Sequence, residues 1–207
     1  MPLLDQPARE RIEATIKDVE KRTAGEIVVV SVSRSDAYHE IRLVYGIAFA
    51  LGGAAILHVL FPLLSIGWLL WIEAAMIAAM WFAFDFPAVL RLLVPAPRAQ
   101  ACVARRASLE FLEHRVYDTR EHTGVLILLS ELEHQVVILG DSGIYAQLHA
   151  EGFAAYVERV IAGIRGGRAA DGLCEVIRDL GQTLAQRVPV RPDDRNELPN
   201  VVRQEES

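Results

Sequence analysis

The sequence predicts a small α/β domain whose chain is interrupted by a two-helix transmembrane hairpin. Residues 43–84 form a nearly uncharged apolar run, and helix and strand patterns lie on both sides of it. We predict the first part of the domain at residues 1–40, the hairpin with an interfacial segment at 41–95, the rest of the domain at 96–188 and a disordered tail at 189–207. Because a single helix and strand cannot bury an apolar face alone, the two flanks must fold together.

The N-terminal flank contains a helix and then a strand. Residues 7–23 carry an apolar side chain at every third or fourth position, which is typical of an amphipathic helix. Residues 25–33 are a β-branched run that begins at a glycine, and so continuous an apolar run is expected of a strand inside a sheet.

Residues 43–84 are long enough for two membrane crossings. A helix needs about 20 apolar residues to cross a bilayer core of about 30 Å. Pro62 cannot donate a backbone hydrogen bond to a continuing helix, so we place the spans at residues 43–61 and 64–84 with the bend between them. The alternative is a helical hairpin buried in a soluble core, but the rest of a 207-residue chain is too small to surround it.

The distribution of arginines predicts that both termini are cytoplasmic. The N-terminus has no signal-peptide pattern, so we expect the hairpin to be retained, and two crossings return the chain to the compartment it left. Basic residues near the ends of spans mark the cytoplasmic side. The bend has none, whereas the flanks contain Arg34, Arg42, Arg91, Arg98, Arg105 and Arg106. We therefore expect a protein of the plasma (inner) membrane, with two spans in the lipid bilayer.

The C-terminal flank begins at the membrane and continues into a helix. Residues 86–98 are apolar but contain arginine and proline, which favours an interfacial segment. Residues 99–118 return to helical spacing, and we predict that Leu109, Leu112 and Val116 face the core.

A β-hairpin and two further helices are predicted next. Residues 125–129 and 136–139 are apolar runs separated by a short charged link, as in a β-hairpin. A Ser-Gly pair after the second strand favours the start of helical material. Residues 151–165 and 169–188 have helical periodicity, and the polar tail after them is expected to be disordered.

Charge and cysteine content limit the classes of partner and cofactor. The formal net charge of −6 argues against a nucleic-acid partner, because phosphate binding requires a basic surface. Cys102 and Cys174 form neither a disulfide framework nor a metal-binding spacing. We expect both to be small buried residues.

Two motifs resemble those of the TPM domain family. They are GEIVVVSVS and TGVLILLSELEHQVVILGDSGI, each after a helix, and the resemblance covers about residues 7–35 and 98–187. It implies an α/β sandwich, with a central sheet and helices on both faces. Family members act in photosystem II assembly and repair, as a phosphatase and as an auxiliary receptor subunit. The resemblance therefore implies either an assembly role or a hydrolase.

The resemblance also implies a divalent-cation site at the loop that contains Asp141. A calcium-like cation binds several carboxylate or carbonyl oxygens, and Glu26 and Asp36 are the candidate additional ligands. In the alternative interpretation, Asp141 caps the following helix and Glu26 pairs with a nearby arginine.

Catalytic motifs are absent from the sequence, which favours a non-enzymatic protein. Neither cysteine has an arginine at the spacing of a cysteine phosphatase, and the chain contains no Arg-His-Gly or Asp-x-Asp motif. Three Glu-His pairs end at His114, His122 and His134, and with His149 they lack a compact zinc spacing, so we expect surface positions. A metal-dependent hydrolase or phosphatase of the TPM family, built around Asp141, is the alternative.

Glu73 and His58 are the residues within the predicted spans that can carry charge near neutral pH. A charged side chain at the membrane centre costs about 2.5–3.5 kcal/mol, so we expect Glu73 to be protonated or paired across a subunit contact. The alternative is a neutral Glu73 bonded to a neighbouring backbone carbonyl. Small residues at close-packing spacing should bring the helices together. They are Gly46, Ala50, Gly53 and Ala54 in the first span and Ala74, Ala75, Ala78 and Ala79 in the second.

These features predict a non-enzymatic integral-membrane accessory protein. We expect it to help assemble or stabilise a larger membrane protein complex through its hairpin and its cytoplasmic domain. The expected partners are the lipid bilayer and either other membrane protein subunits or further copies of the chain. No cofactor is required by the sequence, although a divalent cation is compatible with it.

Overall fold

The chain folds as two compact units. The computed structural model describes residues 3–63, 65–189, 197–199 and 201–205. One unit combines Met1–Asp36 with Gln100–Ser207, and the other is Ala37–Ala99. We call them the sheet unit and the hairpin unit. The hairpin unit is an insertion in the chain of the sheet unit, as the sequence predicts.

Seven helices and four strands are described. The helices are α1 (Gln6–Glu20), α2 (His39–Leu60), α3 (Ile66–Ala83), α4 (Pro87–Leu93), α5 (Ala96–Glu113), α6 (Ser142–Arg165) and α7 (Ala169–Arg187). The strands are β1 (Glu26–Val32), β2 (Gly124–Ser130), β3 (Gln135–Gly140) and β4 (Arg203–Glu205). The predicted mixed α/β class is therefore confirmed.

The four strands form one sheet in the order β3-β2-β1-β4. Strand β1 runs parallel to β2 and β4, and β2 runs antiparallel to β3. In the register of β1 and β2, Val29 lies opposite Ile127. Every residue of these two strands is buried, because both faces of the sheet are covered. The pairing of β1 with β2 joins the two flanks of the hairpin, as the sequence predicts.

Alternate residues of the central strands supply two separate cores. Ile27 and Val29 of β1 join side chains from α1, α6 and α7 on one face of the sheet. Val28 and Val30 join Val103 and other residues of α5 on the opposite face. The two-residue period of a strand thus divides a continuous apolar run between two layers of helices.

The inward face of α5 differs from the predicted one. Leu109 and Leu112 are exposed, at 47% and 59%, while Glu110 between them is fully buried. Val116 is buried, as predicted, but lies beyond the end of the helix. The prediction for the two leucines is wrong because it assumes that charged residues of an amphipathic helix face water. Here a carboxylate occupies the core face.

Helix α6 begins nine residues before its predicted start, at Ser142 instead of residue 151. Asp141 has extended backbone angles and its side chain accepts a hydrogen bond from the backbone N–H of Ser142, as an N-cap residue does. The side chains of residues 145–151 lie outside the description. Helix α7 covers almost the whole of its predicted range.

The predicted disorder of residues 189–207 is wrong for the described part of that segment. Leu198 and Val202 are buried, and β4 pairs with β1. The backbone N–H of Val202 also donates to Glu13, at 2.9 Å. Residues 190–196, 200, 206 and 207 lie outside the described residues. A three-residue strand is too short to show a sequence period, so its pairing depends on a neighbour that is distant in the chain.

We expect Val202→Asp to lower the free energy of unfolding by about 2–3 kcal/mol, because the new carboxylate would be buried in an apolar site without a hydrogen-bond or ion-pair partner. Val201→Asp is the matched control, since Val201 is 50% exposed and Val202 5% exposed. Its effect should stay within about 0.5 kcal/mol. Chemical unfolding of the full chain in mild detergent, followed by circular dichroism, measures both; equal effects would mean that the tail is not packed.

Candidate functional site

Helices α2 and α3 match a bilayer in length. Their 22 and 18 residues correspond to about 33 Å and about 27 Å at 1.5 Å per residue. Both are long and apolar enough to cross a membrane, by length and composition, and neither is buried inside the protein. The hydrocarbon core of a bilayer is about 30 Å thick.

The hairpin unit exposes large apolar side chains around both helices. Val59 is 76% exposed and Trp71 is 75% exposed. Further exposed residues are Leu43, Val44, Ile47, Leu51, Ile56, Leu60, Ile66, Trp68, Leu70, Trp81 and Phe82. Soluble monomers rarely expose apolar patches of more than a few hundred Å². The alternative of a hairpin buried in a soluble core is therefore wrong for this fold.

The predicted small residues of α2 lie on the face that packs against α3. Gly46, Ala50, Gly53 and Ala54 are all half-buried, whereas most of their neighbours in the helix are exposed. A Cβ atom added at Gly53 would lie 2.9 Å from Cε of Met76 in α3. At Gly46 an added Cβ would meet nothing within 4 Å. Close helix packing is therefore located at Gly53.

The small residues predicted to pack in α3 lie elsewhere. Ala74, Ala75, Ala78 and Ala79 are all exposed. The half-buried residues of α3 are Leu69, Ile72, Glu73, Met76, Met80 and Ala83. This part of the prediction is wrong because two small faces would leave a gap between the helices. Large side chains of one helix fill the space above small ones of the other.

Glu73 lies on the packed face of α3 and His58 lies near the end of α2. The side chain of Glu73 is half-buried and that of His58 is exposed. Within the part of the chain that the structure describes, neither side chain has a hydrogen bond or an ion pair. The structure thus identifies two ionisable groups in an apolar surface without a partner among the described residues.

Ion pairs connect the end of the hairpin opposite the bend. Arg42 of α2 lies 3.7 Å from the carboxylate of Asp85, just after α3. Arg98 of α5 pairs with Glu40 of α2. Two of the arginines that predict the membrane topology therefore also tie together the segments that leave the spans. Each pair is partly exposed, and such pairs contribute little to stability individually.

The predicted metal ligands are not brought together. Glu26 begins β1 opposite Gly124, and the backbone N–H of Asp141 donates to the carbonyl of Gly124, so both lie at one end of the sheet. Asp36 follows the other end of β1, about 20 Å along the strand, and binds Arg105 at 2.8 Å. Among the described residues, no group of three or more His, Cys, Asp or Glu could hold a metal ion. The three-residue set is therefore wrong.

Asp141 instead performs the capping role of the alternative interpretation. One carboxylate oxygen accepts from the N–H of Ser142, and the other lies 3.0 Å from Nδ1 of His122. Glu26 is buried and accepts a hydrogen bond from the backbone N–H of Glu197, at 2.9 Å. Both carboxylates thus hold local structure at the end of the sheet.

The sequence prediction missed a buried ionic cluster on α5. Glu110 has no exposed side-chain surface, and its two oxygens lie 2.5 Å from Nε of Arg106 and 3.0 Å from Nε2 of His114. We call these three residues the α5 cluster. The signal was the repeat of ionisable residues at positions i, i+4 and i+8, which share one side of a helix.

The sequence predicts surface positions for His114, His122, His134 and His149. His114 is 7% exposed at its side chain, so that prediction is wrong for this residue. His122 and His134 are exposed, as predicted. The side chain of His149 lies outside the description.

Comparison with known proteins supports the fold. The chain is similar to the solved NMR structure of the BA42 protein from the psychrophilic bacterium Bizionia argentinensis, with 20% identity and a TM-score of 0.62. The match covers 98% of this chain and 95% of that chain. At this level of identity the likeness concerns the fold. No protein-family model matches the chain, and no curated protein matches it.

We expect Gly53→Leu to destabilise the packed hairpin by about 1–3 kcal/mol, because a larger side chain would displace Met76. Gly52→Leu is the matched control, since an added Cβ there meets nothing within 4 Å. All three tryptophans lie in α3, so fluorescence during unfolding in mixed micelles follows the hairpin alone. A Gly52 variant as unstable as the Gly53 variant would contradict this packing.

We expect Glu110→Ala to destabilise the sheet unit by about 3–5 kcal/mol, because it would leave the Arg106 guanidinium and the buried His114 ring without their shared carboxylate. Glu113→Ala changes an exposed glutamate of the same helix and should have an effect within about 0.5 kcal/mol. Circular dichroism during denaturant unfolding of the full chain in detergent measures the difference. Similar losses in the two variants would show that the cluster contributes nothing specific.

Proposed function

We propose that the protein is a non-enzymatic integral-membrane accessory protein that helps assemble or stabilise a larger membrane protein complex. The observation that carries the proposal is the exposed apolar surface of α2 and α3, two helices of bilayer length. A lipid bilayer would cover that surface, and the sheet unit would remain outside the hydrocarbon.

The sheet constrains the topology of this proposal. Strands β1 and β2 come from opposite flanks of the hairpin and pair along their whole length. Both flanks must then lie on one side of the membrane, which requires an even number of crossings. The arginines near the ends of the spans favour the cytoplasmic side of a plasma (inner) membrane. Two of these arginines pair with Asp85 and Glu40, but acidic residues contribute little to the orientation of spans, so the argument from the arginines stands.

Glu73 supports a role in assembly. Ionisable residues within transmembrane helices usually face protein or water rather than lipid. In this chain the carboxyl has no polar partner among the described residues, so a further subunit would supply one. Contact between Glu73 and such a subunit would place the accessory role in the hairpin.

Membership of the TPM domain family is part of the same proposal. A four-stranded sheet with helices on both faces is compatible with the sandwich that the resemblance implies. The metal-dependent hydrolase that the resemblance also implies has no specific support here, because Asp36 lies at the opposite end of the sheet from Glu26 and Asp141.

Tryptophan quenching tests the membrane location. Brominated lipids quench tryptophans in hydrocarbon, and all three tryptophans lie in α3. We expect strong quenching in vesicles, retention of the chain in membranes washed with carbonate, and protection of a C-terminal tag from protease added outside intact cells. Release by carbonate, or unquenched fluorescence, would refute the proposal.

The assembly role is tested by the size of the native complex in digitonin. We expect the chain to migrate with a mass above that of a monomer and Glu73→Leu to reduce this association. Ala75→Leu, at an exposed position of the same helix, should leave the association unchanged. A solitary monomer in native membranes would contradict the assembly role.

A further inference from the structure

Two ionisable residues of the hairpin complement each other chemically. A carboxyl at Glu73 and an imidazole at His58 can share one proton, either as an ion pair or as a neutral hydrogen bond. Neither has a polar partner among the described residues of its own chain, although the two helices pack against each other. Within a bilayer, each group is stabilised most by a polar partner at the same depth in the membrane.

The two side chains reach similar depths in the membrane. Counted from the helix ends at the bend, the backbone of His58 is about 3 Å deep and that of Glu73 about 10 Å deep. Side chains on helices lean toward the N-terminus of their helix. Because a five-residue connection makes α2 and α3 antiparallel, this lean moves the carboxyl toward the bend and the imidazole away from it.

Both residues also lie on the same flank of the hairpin. At about 100° per residue, His58 is about 110° from the middle of the half-buried face of α2, and Glu73 is about 50° from the middle of that of α3. The two rotations have the same sign, and the helices are antiparallel, so the side chains point to one side. We call this side the polar flank.

The rest of the polar flank is apolar and exposed. Ile47 and Leu51 precede His58 on α2, at 52% and 69% exposed, and Ile77 follows Glu73 on α3, at 43%. Their spacing of four and seven residues is that of a helix seam. Such a flank is suited to contact with two further helices, one packed against α2 and the other against α3.

We infer that the polar flank pairs with that of a second copy of this chain, so that Glu73 of each copy bonds to His58 of the other. In two copies inserted in the same orientation, each residue lies at the same depth in the membrane as the same residue of the other copy. A two-fold axis along the membrane normal then brings α2 of one copy beside α3 of the other and forms the pair twice. The inference rests on the proposed membrane location.

Cross-linking between two differently tagged copies of the full chain tests this dimer. One copy carries His58→Cys and the other Glu73→Cys, which leaves one of the two Glu73–His58 pairs intact. The matched control combines Ile56→Cys with Ala75→Cys, which lie two residues away, have a similar difference in depth and face away from the polar flank. The parent chain measures any background from the buried Cys102 and Cys174.

We expect a disulfide-linked product that carries both tags, several-fold more abundant for the test pair than for the control pair. Equal or smaller yields for the test pair would overturn the inference. If the chain stays in the membrane within a larger complex and this product is missing, Glu73 has another partner and the accessory role stands. If the chain leaves the membrane in carbonate, the proposed function itself fails.

A second pair of variants keeps the polar groups in place. Leu51→Cys and Ile77→Cys lie at similar depths on the polar flank of opposite helices, so their cross-link should form between copies. Adding Glu73→Gln and His58→Leu to both copies should weaken association about tenfold, from two lost hydrogen bonds between helices. An unchanged yield would show that the pair does not hold the dimer.

Discussion

Strand β1, from the chain before the hairpin, pairs with β2, from the chain after it, and this pairing holds the sheet unit together. Every residue of β1 has a partner in β2. The pairing of β4 with β1 and the packing of α1 against α7 also join the two flanks, but neither matches the length of the β1–β2 pairing. For the proposed membrane location, two crossings are compatible with this pairing because they return the chain to its starting side, whereas one crossing or three would separate the strands.

The two units bury and expose apolar residues in opposite ways. In the sheet unit, α1, α6 and α7 cover one face of the sheet and α5 the other, so the strands are hidden. In the hairpin unit, the helices bury little beyond the face that they share. The sheet unit thus hides its apolar strands from water, whereas the hairpin unit leaves apolar side chains exposed, and this contrast is what motivates the proposed membrane location.

Polar groups in apolar surroundings also differ between the units. The α5 cluster satisfies its buried carboxylate within the chain, by pairing Glu110 with Arg106 and His114. The Glu110 carboxylate at its centre is fully buried, so we interpret it as a structural group. The side chains of Glu73 and His58 have no hydrogen bond or ion pair to the side chains or backbone of the described residues. This contrast is the reason why the proposed partner contact is placed on the hairpin and not on the sheet.

The mixed α/β class, the interruption of the domain, the two apolar helices and the small face of α2 can all be predicted from the sequence. These features follow from local patterns of three to twenty residues, since period and length are properties of the chain. Three features emerge from the folded chain. Glu110 is buried while Leu109 and Leu112 are exposed, Asp36 lies far from Glu26 and Asp141, and β4 joins the sheet. Each of these depends on neighbours distant in the sequence. The local repeat of Arg106, Glu110 and His114 shows that the three share one side of α5, but not that this side faces the core.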